Sequence, residues 1–507
     1  MGDGVVKLFL EKSDGKVEDI VVGASGEDIH YCRLSEAPLW GMMHRLFNER
    51  GVGLWTEGDI PSRSSSNSFI AHSKSRLAAT FLEEHNPKTN TAAKKTRYIL
   101  EIGSGSGRFA YNFLQHFYGP EGTDPLVENT VYIMSDIAEA NINFWRDHKQ
   151  FRPFVEAGVL DFAHFDAVHD DALTLAISGE KITENTVETP LVTIANYIID
   201  SIPSDLFAAS DGQLYEKLCG VQQALDPNEM VKGVKFFYRT KKITEKYYDV
   251  PQWNEVMNRY AGHDETFQFS LPVGGFALMD TMRKFAGGAY MMLVSDYGAL
   301  NLAAIKRNAL VNVNNNGNST VAVNFDALRG YTEDLGGKVL QFEGAYSAIA
   351  SCGYLFGGGA SPLTMKRYHD HFTAFGPDDY DALHSQWAQS EKNPALREAI
   401  YLTKLAKYDV KMFLVCRRAL ILGARRAGEK NLPLLSETLL SIADKVWQHY
   451  YHLDPKNDPA LELAQMYLPL GMVDKAREVL LVSCDYNGSN PNKEIMLERC
   501  RKAEAKR

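Results

Sequence analysis

Apolar residues fall into two regimes along this chain. Between residue 97 and about residue 345, short apolar runs alternate with stretches of helical spacing. The runs at 98–102, 131–135, 160–165, 191–195 and 290–295 are too short for helices and read as buried strands. Helical spacing falls between them at 108–117, 138–148 and 173–178, and again at 279–285. Such alternation predicts an α/β fold built on a doubly wound parallel sheet. Late strands are expected at 321–325 and 338–342, and 227–272 reads as an insertion rich in Tyr, Lys and Glu. Upstream, 38–48 and 72–84 have helical spacing, and 5–10 and 17–22 alternate around Ser13-Asp14-Gly15-Lys16 as a hairpin. The polar stretch TEGDIPSRSSSNSF, 56–69, is a loop that is either disordered or folded over something.

Beyond AFGPDDYD, 374–381, the spacing is helical to the end. In ALELAQMYLPLGMVDKAREVLL, 460–481, Leu463, Ala464, Tyr467, Gly471, Ala476 and Leu480 have tetratricopeptide spacing. Ala443, Trp447, Tyr450 and Pro455 match the second helix of an earlier repeat. A plain helical bundle is the alternative. The pattern divides the chain into an N-terminal segment, 1–90, an α/β domain, 91–373, and a helical TPR-like domain, 374–507.

Composition narrows the function. A formal charge of −10 over 507 residues argues against a nucleic-acid partner. No run reaches the roughly 18 apolar residues of a membrane span, so no membrane partner is expected. Six cysteines without a CxxC pair read as reduced thiols. The 14 histidines show no HxxxH or HExxH spacing, so no metal is expected. The start, MGDGVVKLFLEKSDGK, lacks the features of a signal peptide, which points to the cytoplasm.

The chemistry centres on YILEIGSGSGRF, 98–109. A strand that runs into a glycine loop and a helix lets a ligand approach the backbone at a helix N-terminus. A phosphate loop needs GxxxxGK[ST], and the stretch from Gly103 to Arg108 lacks that ending. A dinucleotide loop survives only in a relaxed form, Gly105-x-Gly107-x-x-Ala110. Glu101 favours a different ligand. A carboxylate repels a pyrophosphate but attracts the ammonium and sulfonium of S-adenosylmethionine. The run Glu101-x-Gly103-x-Gly105-x-Gly107 therefore predicts a site for that cofactor, with S-adenosylhomocysteine as product. Asp136, ending VYIMSD, is placed for the ribose hydroxyls. Asp166 in VLDFAHFDA is placed for the adenine amino group, with Asp161 as its rival. Asn196 ends the fourth strand, where the substrate enters.

Four stretches in the same order resemble the MidA-like methyltransferases. ANYIIDSIP, 195–203, resembles the family's ANEFFDALP, and GDIPSRSS, 58–65, its GDFxTSxE. LVSDYG, 293–298, resembles LxIDYG, and VAVNFDAL, 321–328, resembles THVDFxxL. The resemblance covers roughly 35–345. Tyr197 stands where the family has an acid, and PSRSSSN replaces its TSxE. The resemblance implies a Rossmann-like class I methyltransferase fold and methylation of a protein, on arginine, with residues 1–90 helping to cover the site. It also implies a homodimer, and a mitochondrial location as the alternative to the cytoplasm. A charged guanidinium needs carboxylates to orient it; Asp200 and Asp59 are the catalytic candidates, with Asn196 as positioner. Two other readings are open: a scaffold or assembly factor that has lost catalysis, and a small-molecule methyltransferase.

Overall fold

The computed structural model describes residues 29–58, 60, 64–86, 95–119, 129–222, 233–244, 246–307, 311–315, 318–342, 344, 349–453 and 455–505. The expected hairpin at 5–22 and Asp59 lie outside them. The chain forms two compact units, each assembled from separated segments.

The larger unit takes residues 48–197, 281–296 and 339–507. Its sheet has seven strands: β1 Arg97–Ile102, β2 Thr130–Asp136, β3 Leu160–His164, β4 Leu191–Asn196, β5 Tyr290–Asp296, β6 Lys338–Leu340 and β7 Ala350–Phe356. The order is β6-β7-β5-β4-β1-β2-β3. β1 to β5 are parallel, and β7 runs antiparallel to β5. The five parallel strands thus stand in the doubly wound order third-second-first-fourth-fifth, and the winding reverses between β1 and β4. Every residue of β1 and β5 is buried, as a central strand covered on both faces must be.

Two helices bring the sequence's polar residues to that reversal point. α1, Ser68–Glu84, starts four residues before its predicted bound, because the Asn67 side chain accepts from Ile70 N (3.0 Å) and caps it. α2, Arg108–Tyr118, follows the glycine loop. Ile70, Leu77 and Phe81 of α1 and Phe109, Phe113 and Phe117 of α2 share one core with Tyr132 and Met134 of β2. A second core lies among the C-terminal helices, including Val410–Glu429, Pro433–His449, Ala460–Tyr467 and Val473–Asn487. Leu463, Ala464, Tyr467, Ala476 and Leu480 are all buried there.

The smaller unit takes residues 198–280 and 297–338 with the described part of 1–47. Its antiparallel sheet joins Asp205–Ser210, Gln213–Gln222, Lys235–Lys242, Phe267–Leu271 and Tyr31–Cys32. Phe269 stacks between Phe207 and Tyr260, with ring centroids 5.4 and 4.3 Å away.

Two expected elements differ, and one strand is unforeseen. The helix expected at 173–178 is a two-residue strand, Leu173–Thr174, paired with Lys181–Ile182. The Asp161 carboxylate takes the N–H groups of Ile177 and Ser178 and holds that segment in a turn. Of the strand expected at 321–325, only Val323–Asn324 pairs, and Asn324 then caps the helix Phe325–Asp334 by accepting from Ala327 N. β7 has no counterpart among the expected strands.

Candidate functional site

The loop between β1 and α2 explains its own glycines. Gly103, Gly105 and Gly107 have φ of +64°, +52° and +79°, values that side chains rarely tolerate. Each turn of this loop therefore requires glycine. Hydrogen bonds pin it: Ser104 N donates to Ser135 O (2.9 Å), and the Trp145 indole donates to Gly105 O (3.0 Å).

Glu101 lies beneath the loop, 2% exposed. Its Oε2 accepts from Ser104 Oγ (2.7 Å) and Tyr132 OH (3.0 Å). Burial pushes its carboxyl up to about 7, against those two hydrogen bonds and a nearby ammonium. That ammonium belongs to Lys74, a residue without a signal in the sequence. Lys74 is 1% exposed on α1 and donates to Asn196 Oδ1 (2.5 Å). Burial pushes it down to about 7, against the charges of Glu101 and Asp296. A lysine and two acids from β1 and β5 thus share a dry site at the carboxyl ends of the strands, with Asn196 of β4 beside them. Asn196 Nδ2 is buried with no acceptor among the described residues, so the site has an unused donor.

Asp136 ends β2 and is 6% exposed. Its Oδ2 accepts from Gly105 N (2.9 Å) and Asn141 Nδ2 (3.2 Å), and its Oδ1 from Ala138 N (2.9 Å). Burial raises its carboxyl in spite of these bonds. Trp55 is a second residue that the sequence pattern does not single out. A Cβ added to Gly105 would stand 2.5 Å from its ring, so the indole lies directly on the glycine loop.

The remaining expected residues are more scattered. Asp166 lies two residues beyond β3. Its carboxylate accepts from Val168 N (2.9 Å) and His169 N (3.2 Å) and pairs with the His169 ring (2.9 Å). Burial raises its carboxyl, but these bonds outweigh that and leave it low. Tyr197 has φ +53° and packs against the core of the larger unit. Asp200 falls in the smaller unit, buried in a 3-10 turn, where its Oδ1 accepts from Ser201 Oγ (2.6 Å). Glu101, Gly103, Gly105, Gly107, Asp136 and Asn196 therefore come together; Asp200 does not belong to that unit.

No family model matches the chain, and no curated protein matches it. Among solved structures it is similar to two proteins of one superfamily from Burkholderia thailandensis. The first is uncharacterized: 17% identity over 61% of this chain and 73% of that one, TM-score 0.39. The second is bound to S-adenosyl-homocysteine: 18% identity over 61% and 74%, TM-score 0.41. A SAM-dependent methyltransferase from Aquifex aeolicus aligns at 9% identity over 60% and 96%, TM-score 0.24. Likenesses this distant assign no activity to the chain.

Proposed function

We propose that this chain is an S-adenosylmethionine-dependent methyltransferase of the Rossmann-like class I type, acting on a protein, at arginine. The observation that carries the reading is a glycine loop in the left-handed region at the reversal point of a doubly wound sheet, set over a buried glutamate. Open α/β sheets bind their ligands at that point. The residues fit the cofactor: Glu101 offers charge to its ammonium and sulfonium, and the glycines offer close backbone approach. The free Asn196 Nδ2 offers a donor. Asp136 is placed for the ribose, which must share it with the N–H groups of Gly105 and Ala138.

The cofactor supplies an electrophilic methyl group, and transfer is an in-line displacement. The chain's task is to align the nucleophile and exclude water. Asn196 positions the acceptor, and Asp59, outside the described residues, is the candidate left to orient a guanidinium. S-adenosylhomocysteine is titrated by calorimetry into the wild type and into Glu101→Gln. Binding that weakens about tenfold or more in the variant is expected, since a charged contact is lost. Label from methyl-labelled cofactor in the arginine fraction of a protein acceptor tests the substrate; label confined to other residues or to small molecules removes the arginine reading.

A second reading, a scaffold that keeps the fold without catalysis, is favoured by Lys74 and Trp55. Lys74 already brings a cation toward Glu101, and Trp55 already covers Gly105. It predicts that a folded wild type takes up neither S-adenosylmethionine nor S-adenosylhomocysteine.

A further inference from the structure

Four histidines, each from a different segment of the larger unit, meet in one cluster. His72 comes from α1, His116 from α2 and His371 from the π-helical turn His369–Thr373, and His449 ends the helix Pro433–His449. The His116 ring stacks on His449, with centroids 4.3 Å apart, and meets His72 edge-on at 5.1 Å. His72 in turn lies 5.5 Å from His371. His116 and His449 are buried.

Hydrogen bonds fix the state of the central ring. Ser68 Oγ donates its proton to Lys407 O (2.7 Å), so it can only accept from His116 Nε2 (2.8 Å). His116 therefore carries its proton on Nε2. His72 Nδ1 is enclosed and has no partner among the described residues, so a proton added there meets no acceptor.

The charge around the rings is mostly positive. Arg76, Lys407 and Arg367 act on them. Lys445 stands over Tyr408, which stacks on His449, and Arg108 and Lys411 line a cavity that His449 also lines. The two nearby acids are engaged: Asp370 pairs with Lys366 (2.8 Å), and Asp409 accepts from the N–H groups of Ser68, Lys411 and Met412. Burial first, then the cations and the neighbouring rings, push His72 down to about 2 and His371 down to about 4, and hold His116 well below its usual range.

The same joint holds strained backbone. Lys407 and Tyr408 have φ of +54° and +62°, which residues with side chains adopt at a cost. Lys407 O is the group that Ser68 grips.

We propose that the four imidazoles form an acid-released latch, which fastens 369–373, 406–409 and 433–449 to α1 and α2 while neutral and opens when the rings take up protons. Like charges then crowd one enclosed site, and the turn at 407–408 is free to relax. With depressed values in the folded state, the latch is whole above about 6.5, the ordinary histidine value, and weakens as pH falls toward the folded ones. The inference stands apart from any methyl donor.

Amide hydrogen exchange of the full chain is followed by mass spectrometry from about pH 7.5 to about pH 5, with rates corrected for the intrinsic effect of pH. Below about pH 6.5 the opening constant of 404–412 and 443–449 is expected to rise about a hundredfold or more per pH unit, tenfold for each of two or more protons. β1 keeps its protection over the same range. His116→Gln retains a donor for Ser68 and removes one titrating ring, so its rise per pH unit is about tenfold smaller. His72→Gln, at a half-buried position, makes the same test if His116→Gln does not fold. A smaller rise in wild type overturns the proposal, and so does an unchanged slope in the folded variant. Loss of β1 protection in step with the latch segments also overturns it, since the whole unit then unfolds in acid.

Discussion

Lys74 and Glu101 show how two ionisable groups share a site shielded from bulk solvent. Each is pushed toward its neutral form by burial and held charged by the other. Lys74→Met removes the cation, so the Glu101 carboxyl rises further above about 7. A carboxyl raised in the folded state contributes stability below its unfolded value of about 4.3, and that stability is lost as pH rises through the folded value. The lysine has the opposite sign: its folded value is depressed, and stability is lost as pH falls through about 7. Melting temperatures of the variant should therefore keep falling between about pH 6 and 9, where wild type regains the lysine's contribution, and follow the wild-type slope below about pH 6. Parallel profiles would show that the two groups do not interact. Gly105 supports a second expectation at this scale. Gly105→Ala meets both a left-handed φ, costing roughly 1–2 kcal/mol, and the Trp55 ring, costing roughly 1–3 kcal/mol. In a double-mutant cycle, Trp55→Ala should recover the second part and not the first. The acid and the glycines are legible because their types and spacing have a direct chemical meaning. Lys74 is not: in SFIAHSKSRLAATFLEE a lysine reads as a solvated position, and only the tertiary fold turns it inward. Trp55 gives no signal because its partner is a backbone 50 residues away.

Elements differ in how openly the sequence declares them. The parallel strands are continuous apolar runs because both faces are covered, and β1 to β5 appear within a few residues of where the runs stand. The antiparallel sheet of the smaller unit hides in polar text, QLYEKLCGVQ and KFFYRTKK, since such strands alternate and one face can stay wet. One clear sign of it is local. Asp211-Gly212 joins Ser210 to Gln213 with both φ positive, +46° and +74°; Asp-Gly is the preferred pair for a two-residue hairpin. β7 is broken by Ser351 and Gly353 and escapes a search for apolar runs. Among the C-terminal helices, a buried ion pair fastens the last one. Lys493 Nζ lies 3.1 Å from Asp458, both nearly inaccessible, and Lys493 also donates to Gly488 O (3.1 Å). Lys493→Met strands the carboxylate and should cost about 3–5 kcal/mol, read as a lower denaturant midpoint. Arg501→Met, on an exposed pair of the same helix, should cost under about 1 kcal/mol. Equal losses would mean that burial does not set the strength of the pair.

At the scale of the whole chain there are two compact units, and each is drawn from several segments. Chains of this kind depart from a single cooperative transition. Calorimetric unfolding should give an enthalpy above the van't Hoff value, and Phe207→Ala and Phe113→Ala should shift different parts of the trace. Coincident shifts would mean that the two cores melt as one. The sequence announces the winding of the larger sheet, because the order of strands and helices constrains how a doubly wound sheet is laid down. It does not announce that the smaller sheet belongs to a unit of its own, because three separated segments build that unit and no single window contains it.

The place of β7 also bears on how the molecule is made. Synthesis delivers β1 to β5 and then β6, but β5 takes its outer neighbour from β7, the last strand of the sheet to be translated. Until the ribosome has released residue 356, the nascent sheet has an apolar strand, YMMLVSD, with one row of peptide groups unclaimed. Such a border recruits any other extended chain nearby. The newborn polypeptide thus passes through a period in which that border is open to aggregation.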